Sequence, residues 1–132
     1  MQNRAAARSN VRRSASASAG NVIAGNNGVG IETYFTPGHT PGSQCFLVDG
    51  RYLVSGDTLF LEGCGRTDLP GGDPTALYES LTQRLAKVPD DAVLFPGHLY
   101  SAEPSATMGE TRKWNYVFKP RSAEAWLAMF GR

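Results

Sequence analysis

Short apolar runs rich in β-branched and aromatic residues stand between Gly, Pro and Asp residues along the chain. Such runs are typical of strands. We therefore predict strands at 31–35, 44–48 and 52–56, with a hairpin turn at 49–51 between the second and the third. A fourth strand is predicted at 92–95, where an apolar run ends in a Pro-Gly pair.

Apolar residues at helical spacing follow these strands. One stripe recurs every four residues and consists of Leu77, Leu81 and Leu85. It predicts a helix over 74–87, which Asp73 can cap. A final amphipathic helix is predicted over 122–130, and another helix starts near Thr107. Strands, a helix, a further strand and more helices predict a mixed α/β architecture.

A glycine-rich segment separates the strands from the first helix. Residues 61–73 combine several glycines with a proline, so a loop is predicted there. Long loops inside compact domains are usually functional or disordered.

The first 30 residues differ from the rest. Residues 1–30 contain no aromatic side chain and are rich in Ala, Ser, Arg, Asn and Gly. Such a segment cannot bury enough apolar surface to offset its ordering entropy, so disorder is expected. An organelle transit peptide and a misassigned start are the alternatives. The domain itself is assigned to residues 31–132.

Composition limits the classes of partner. The 132 residues are 41% hydrophobic and 19% charged, which suits one domain. A net charge of +1 gives no strong field that would attract nucleic acid or an anionic membrane, and the chain lacks an apolar run of the ~20 residues that a membrane span needs. Two cysteines, Cys45 and Cys64, form no disulfide framework, so reduced thiols and a cytoplasmic location are expected.

Three polar residues share one setting. His39, Asp57 and His98 each follow an apolar strand and lie in or beside a glycine-containing turn, within TPGHTPG, SGDT and PGHLY. Imidazole and carboxylate together are a common ligand set for zinc, iron or manganese. The alternative is that the histidines are ordinary polar turn residues and that Asp57 accepts hydrogen bonds from turn amides.

The segments TPGHTPGS, SGDTLF, GCGRTDLPGGD and FPGH, in this order, resemble the metallo-β-lactamase-fold hydrolases over residues 31–132. The resemblance is strongest to the glyoxalase II-like branch, with the persulfide dioxygenases nearby. It implies an α/β fold that is half of a four-layer αβ/βα sandwich. In that family a metal site lies at the edge where two sheets meet.

The resemblance also implies roles for the three turn residues. His39 would complete a first metal site, Asp57 would bridge two metals or bind a single iron, and His98 would bind the second metal. One or two zinc ions are expected, with iron or manganese as alternatives. The chain has only two histidines, so the family's HxHxDH motif is absent and the chain resembles a C-terminal half.

Three functions follow from the resemblance. The first is a truncated, impaired hydrolase of thioesters or esters, similar to hydroxyacylglutathione hydrolase, with no catalytic residue assigned. The second is a relative of the mononuclear-iron persulfide dioxygenases. The third is a non-catalytic half-domain that needs a partner chain. In the first two the partner is a small thioester or glutathione conjugate, and no oligomeric state is predicted.

Other residues near these motifs also have expected roles. By resemblance, Arg66 contacts an anionic thiol substrate, or else it pairs with Asp68. Because no histidine is free to serve as its base, Cys64 is expected to be a small buried thiol. Tyr100 is expected to pack in the core or at a pocket rim. The aromatic run 113–118 is expected to pack beneath the C-terminal helices.

Overall fold

A computed structural model of the protein describes residues 11–13, 21–25 and 29–131. Within them, one sheet contains seven strands in chain order. These are β1 (Val11–Arg13), β2 (Asn21–Gly25), β3 (Val29–Phe35), β4 (Gln44–Val48), β5 (Tyr52–Gly56), β6 (Val93–Pro96) and β7 (Ala106–Thr107). Neighbouring strands are antiparallel, except that β5 and β6 are parallel.

The four predicted strands are all present. β4 and β5 have the predicted bounds, β3 begins two residues early, and β6 is shifted by one residue. The prediction for residues 1–30 stays a prediction, because most of them lie outside the described residues. Within that segment β1, β2 and the start of β3 are strands, which its composition did not suggest.

The turn between β4 and β5 follows from its two central residues. Asp49 and Gly50 have φ values of 55° and 65°, and the amide of Arg51 donates to the carbonyl of Val48 at 3.0 Å. Two positive φ values are the mark of a type I′ hairpin turn, whose twist matches that of paired strands. The predicted hairpin turn at 49–51 is confirmed.

The first helix is helical over the predicted range but changes its winding. α1 (Pro74–Glu79) continues into one π turn (Ser80–Arg84) and a 3-10 turn (Leu85–Lys87). Asp73 caps it, with Oδ1 accepting from the amide of Ala76 at 3.1 Å. Within the π turn the hydroxyl of Ser80 donates outward to the carbonyl of Pro37 at 2.7 Å.

Two further helices follow β7. α2 (Met108–Trp114) begins after Thr107, which caps it, and α3 (Ala123–Phe130) begins after its cap Ser122. Both starts were predicted to within a residue. A 3-10 turn (Tyr116–Phe118) connects the two helices.

The aromatic run 113–118 is only partly buried. Asn115 and Val117 are fully enclosed, but the Trp114 side chain is 71% exposed and Tyr116 is 52% exposed. The expectation that the whole run packs beneath the C-terminal helices is therefore wrong for Trp114, whereas the half-exposed Tyr116 ring contacts Phe130 of α3 at 5.8 Å between centroids. Trp114 is the last residue of α2, and Tyr116 begins the 3-10 turn that follows.

The helices cover one face of the sheet. The predicted leucine stripe of the first helix is buried there, with Leu53 and Leu94 of the central strands and Trp126 of α3 in the same cluster. Arg112 closes the end of that helix by donating to the carbonyls of Leu85 and Val88. Sheet and helices together form two layers.

The opposite face of the sheet is apolar and exposed. Its side chains alternate with the buried ones along each strand, as the pleat requires. Pairing brings them into contiguous rows across β3 to β6. The large members are 37% to 45% exposed and are Ile31, Phe35, Phe46, Tyr52, Val54 and Phe95. A single uncovered apolar face agrees with the predicted half of a sandwich.

Within the described part of the chain, no helix is long and apolar enough to cross a membrane. Cys45 and Cys64 are both free thiols, as expected from their number.

Candidate functional site

His39 and His98, two of the three turn residues predicted as ligands, both contact the third, Asp57. Nε2 of His39 lies 3.5 Å from Oδ2 of Asp57, and Nδ1 of His98 lies 2.6 Å from Oδ1. His39 and Asp57 are partly buried, whereas about half of the His98 side chain is exposed. The carboxylate therefore lies between the two imidazoles, one at each oxygen.

Helix α1 holds the turn that carries His39. The amide of Asp73 donates to the carbonyl of Gly38 at 2.8 Å, and Ser80 donates to Pro37 beside it. Gly38 has φ of +146°, and a Cβ there would lie 2.4 Å from the Cβ of Leu77. The turn can approach the helix this closely only because the residue is glycine.

The parallel pair β5 and β6 brings Asp57 and His98 together. Both residues follow the carboxyl ends of their strands, and Gly56 pairs with Pro96. The amide of Gly97 donates to the carbonyl of Gly56 at 2.7 Å, and a Cβ on Gly97 would lie 2.7 Å from Oδ1 of Asp57. The Pro-Gly pair that precedes His98 thus leaves room for the carboxylate.

The backbone of the glycine-rich loop sets the tautomer of His39. Nδ1 of His39 lies 2.8 Å from the carbonyl oxygen of Arg66. A carbonyl can only accept, so Nδ1 carries the proton and donates. In the neutral ring the lone pair is therefore on Nε2, the nitrogen that faces Asp57. Metal-binding histidines typically donate their other ring N–H to a carbonyl or carboxylate in this way.

The donor set fits a metal ion in chemistry but is not complete. Two ligands at zinc bond lengths in a tetrahedral site lie about 3.4 Å apart, close to the His39–Asp57 separation. The His98–Asp57 contact is a direct hydrogen bond instead. Across the described residues no group of three or more His, Cys, Asp or Glu side chains is arranged to hold a metal ion. His39 and Asp57 could hold one as a pair, and Nδ1 of His98 would join them only by releasing Asp57.

A cavity of about 540 Å³ opens beside these residues. Its lining includes His39, Asp57, Phe60, Arg66, Tyr100 and Tyr116. Arg66 and Asp68 form a two-pronged ion pair, with Nε to Oδ1 at 2.6 Å and the second nitrogen to Oδ2 at 2.8 Å. This pairing raises the pKa of Arg66, so its charge is permanent. The pairing of Arg66 with Asp68 is therefore present, and contact of Arg66 with a substrate stays a prediction, since Arg66 also lines the cavity.

Tyr100 lies at the rim of the cavity, as expected. Its ring stacks on His98, with centroids 5.2 Å apart and planes 8° apart. It also meets the Phe60 ring edge to face at 4.9 Å. These contacts fix one side of the otherwise exposed His98 ring.

Cys64 borders the cavity but is a poor nucleophile. Burial raises the pKa of its thiol from 9.0 to about 12. The thiol is therefore protonated near neutral pH, and both histidines are engaged elsewhere. The expectation of a structural thiol agrees with this environment.

Asn115 and Phe60 were missed by the sequence analysis. Asn115 is buried and binds the backbone of the glycine-rich loop, and Phe60 supports the ring of His98. The one signal in the sequence is a polar Asn inside an aromatic run. Its hydrogen-bond partners could not be predicted, because they lie more than 50 residues earlier in the chain.

Comparison with known proteins places these features in a family. Residues 19–98 match the family described as the metallo-beta-lactamase superfamily. Human mitochondrial persulfide dioxygenase ETHE1 is 36% identical over 86 residues, 64% of this chain and 34% of the relative. Hydroxyacylglutathione hydrolase of Nitrosococcus oceani is 42% identical over 84 residues, 62% of this chain and 32% of the relative.

Solved structures with a similar fold belong to proteins of the same kind. The crystal structure of ETHE1 from Myxococcus xanthus aligns with a TM-score of 0.71 at 32% identity, covering 77% of this chain and 45% of that one. This chain therefore spans about a third to under half of the length of these relatives. The matched segment contains His39, Asp57 and His98. The chain belongs to the metallo-β-lactamase superfamily.

Proposed function

We propose that this chain supplies His39, Asp57 and His98 to the metal centre of a hydrolase that cleaves thioesters or esters. The similarity to a protein named hydroxyacylglutathione hydrolase supports this reaction class. One observation carries the proposal. Nε2 of His39 faces Oδ2 of Asp57 at 3.5 Å, in the lining of a cavity large enough for a small substrate. Zinc is the expected metal, as one or two ions, and iron or manganese fits the same donors.

The chain's own residues divide the work as follows. Asp57 and His39 would hold a divalent ion, with the tautomer of His39 set by the Arg66 carbonyl. Such an ion would supply Lewis-acid activation of a water and of the substrate carbonyl. The Arg66 side chain binds a carboxylate of a glutathione-like group, because a guanidinium forms paired hydrogen bonds with carboxylates. Phe60 and Tyr100 provide an apolar wall for the acyl portion.

The isolated chain is expected to be impaired. Catalytic zinc sites usually have three protein ligands for each ion. Asp57 already shares its oxygens between two imidazoles, and the chain lacks the HxHxDH motif. We expect turnover of a glutathione thioester far below the ~1–10³ per second of typical enzymes.

A persulfide dioxygenase is the second candidate. It is supported by the 36% identity to a protein of that name over 86 residues and by the alignment with the structure of a second protein called ETHE1. Two histidines and one carboxylate are the usual ligands of a non-haem iron site. His39 and Asp57 supply one of each, and the second histidine would come from the half of the fold that carries HxHxDH. Oxygen uptake with glutathione persulfide, compared with thioester hydrolysis by the same iron-loaded or zinc-loaded sample, separates the two activities.

A half-domain that works only with a partner chain is the third candidate. The uncovered apolar face of β3 to β6 favours it, since contiguous exposed apolar surface marks an interaction site. We propose that a second β-sheet layer covers this face and brings the remaining metal ligands. More than half the length of the aligned relatives lies outside the match, which leaves room for such a layer.

Metal content tests the shared core of these proposals. The chain is expressed with zinc and iron both available, passed through gel filtration, and analysed for metal per chain. Stoichiometric metal that is lost in His39→Ala and Asp57→Ala, but kept in the turn variant Asp49→Asn, supports the site. Metal at equal levels in all four proteins would refute it.

Activity assays then choose among the candidates. The chain is assayed alone and after co-expression with a segment of a relative that carries HxHxDH. Hydrolysis of a glutathione thioester only in the mixture supports the hydrolase and the half-domain together. Hydrolysis at an ordinary enzymatic rate by the chain alone would overturn the expected impairment.

A further inference from the structure

The glycine-rich loop before Arg66 is anchored from the far end of the chain. Asn115 is 0% exposed, and its side chain makes four hydrogen bonds. Oδ1 accepts from the amides of Gly63 at 2.9 Å and Val117 at 3.1 Å. Nδ2 donates to the carbonyls of Phe60 at 2.9 Å and Gly63 at 3.0 Å. Two amides and two carbonyls as partners leave one orientation for the side-chain amide.

The anchored segment is a tight turn that leads directly to the site. The amide of Phe60 donates to the carbonyl of Gly63, Leu59 pairs with Cys64, and the amide of Gly65 donates back to Thr58. Asn115 therefore binds the tip of a small hairpin. The returning strand of that hairpin passes next to His39.

Both imidazoles depend on this hairpin. On the returning side, a Cβ at Gly65 would lie 2.9 Å from the His39 ring. The backbone carbonyl of the next residue, Arg66, accepts a hydrogen bond from Nδ1 of His39 at 2.8 Å. On the outgoing side, Phe60 meets the ring of His98 in a T-shaped contact at 6.1 Å. The hairpin tip thus connects Asn115 to both rings.

We propose that Asn115 is a positioning residue of the metal centre: by fixing the tip of the 58–65 hairpin it holds the Arg66 carbonyl against Nδ1 of His39 and so keeps Nε2 free for a metal. The inference rests on the proposed function for the metal, but the tautomer of His39 is a property of the metal-free chain. Outer-shell partners of metal ligands commonly change metal affinity by about 10- to 100-fold.

Asn115→Asp is the sharpest variant. An aspartate keeps the size of the side chain and can still accept from Gly63 and Val117, but an ionised carboxylate faces the carbonyls of Phe60 and Gly63 with no proton to donate. Thr111→Val is the matched control. It removes a buried hydroxyl from helix α2, which ends just before Asn115; this hydroxyl donates to the carbonyl of the helix cap Thr107.

The readout is the ring nitrogen spectrum of the two histidines in metal-free protein, at a pH at which both rings are neutral. With two histidines in the chain, His98→Asn assigns both signals. We expect the wild type and Thr111→Val to show His39 as the Nδ1–H tautomer alone. Asn115→Asp should show a mixture of both tautomers while keeping the dispersed amide spectrum of a folded chain.

A folded Asn115→Asp with an unchanged His39 tautomer overturns the inference. If that variant does not fold, Gly63→Ala strains the same hairpin tip, since Gly63 has φ of +86°, a conformation that residues with a Cβ rarely adopt. An unchanged tautomer in folded Gly63→Ala then overturns it equally. Failure of the wild type to bind zinc refutes the proposed function alone, because the tautomer result stands without metal.

Zinc titration adds the functional consequence where the wild type binds. The dissociation constant should rise about 10- to 100-fold in Asn115→Asp and stay within about twofold in Thr111→Val. Equal affinities in the two variants would contradict the positioning role.

Discussion

Nε2 of His39 lies 3.5 Å from Oδ2 of Asp57, the spacing of two ligands of one ion rather than that of a hydrogen bond. His98 instead contacts the same carboxylate directly at 2.6 Å. The two histidines are thus unequal in the absence of metal. His39 faces the shared carboxylate through Nε2 at a ligand spacing, whereas Nδ1 of His98 would bind the same ion only after releasing Asp57.

This inequality predicts an order among ligand variants. His39→Asn should lower zinc affinity by at least about tenfold, the lower end of the effect seen for outer-shell partners. His98→Asn should cost less, because breaking the His98–Asp57 hydrogen bond offsets part of the ligand's gain. Isothermal titration with zinc measures both.

Asp49→Asn is the control for that titration, because Asp49 lies in the β4–β5 turn with φ of 55°, a conformation that asparagine also adopts. An equal loss in His39→Asn and His98→Asn would show that the present asymmetry has no bearing on binding.

Gly65→Ala should destabilise both the fold and the site. The added Cβ would lie 2.0 Å from the carbonyl oxygen of Asp57 and 2.9 Å from the His39 ring. Overpacking of this kind typically costs about 1–3 kcal/mol. Gly42→Ala is the matched control, since nothing lies within 4 Å of its Cβ position. Urea unfolding of the two variants should differ by that amount, and equal midpoints would contradict the close approach.

The hairpins, helix α1 and the two turns with histidine could be predicted because their signals are local. Asp49 and Gly50 specify a turn by themselves, and a leucine every fourth residue specifies a buried helix face. The convergence of His39, Asp57 and His98 required the family resemblance, since sequence spacing does not say which strand ends meet. β7, only two residues long, carries too little pattern to be recognised.

The supports of the site could not be predicted. The carbonyl of Arg66 fixes His39 through a backbone atom, whose role is independent of the residue's side chain. Asn115 acts on a loop more than 50 residues away in sequence. Such contacts are created by tertiary packing and leave no periodic pattern.

The two faces of β4 should respond differently to the same truncation. Leu47 is 5% exposed on the helix-covered face, and Phe46, its neighbour, is 39% exposed on the open face. In the isolated chain, Leu47→Ala should cost about 2–5 kcal/mol of unfolding free energy. Phe46→Ala should cost only about 0.5–1 kcal/mol of unfolding free energy, since substitutions of exposed residues change stability little. It should also reduce binding of a hydrophobic dye, because Phe46 is part of the exposed apolar face.

Denaturant unfolding and dye fluorescence measure these effects. If a second β-sheet layer covers the open face, Phe46→Ala should become as costly as Leu47→Ala in its presence. Equal costs already in the isolated chain would mean that the face is covered by something within this chain.

Alkaline pH should weaken the fold through Cys64. Burial raises the pKa of this thiol from 9.0 to about 12, so the folded state keeps a proton that the unfolded state loses. The stabilising effect of the buried thiol is therefore complete below about pH 9 and is lost as the pH rises toward about 12. Over that interval the free energy of unfolding should fall less steeply with pH in Cys64→Ala, by up to about 1.4 kcal/mol for each pH unit. Urea unfolding of both proteins at pH 8, 9.5 and 10.5 measures it, and parallel curves for the two proteins would show that the thiol ionises as readily folded as unfolded.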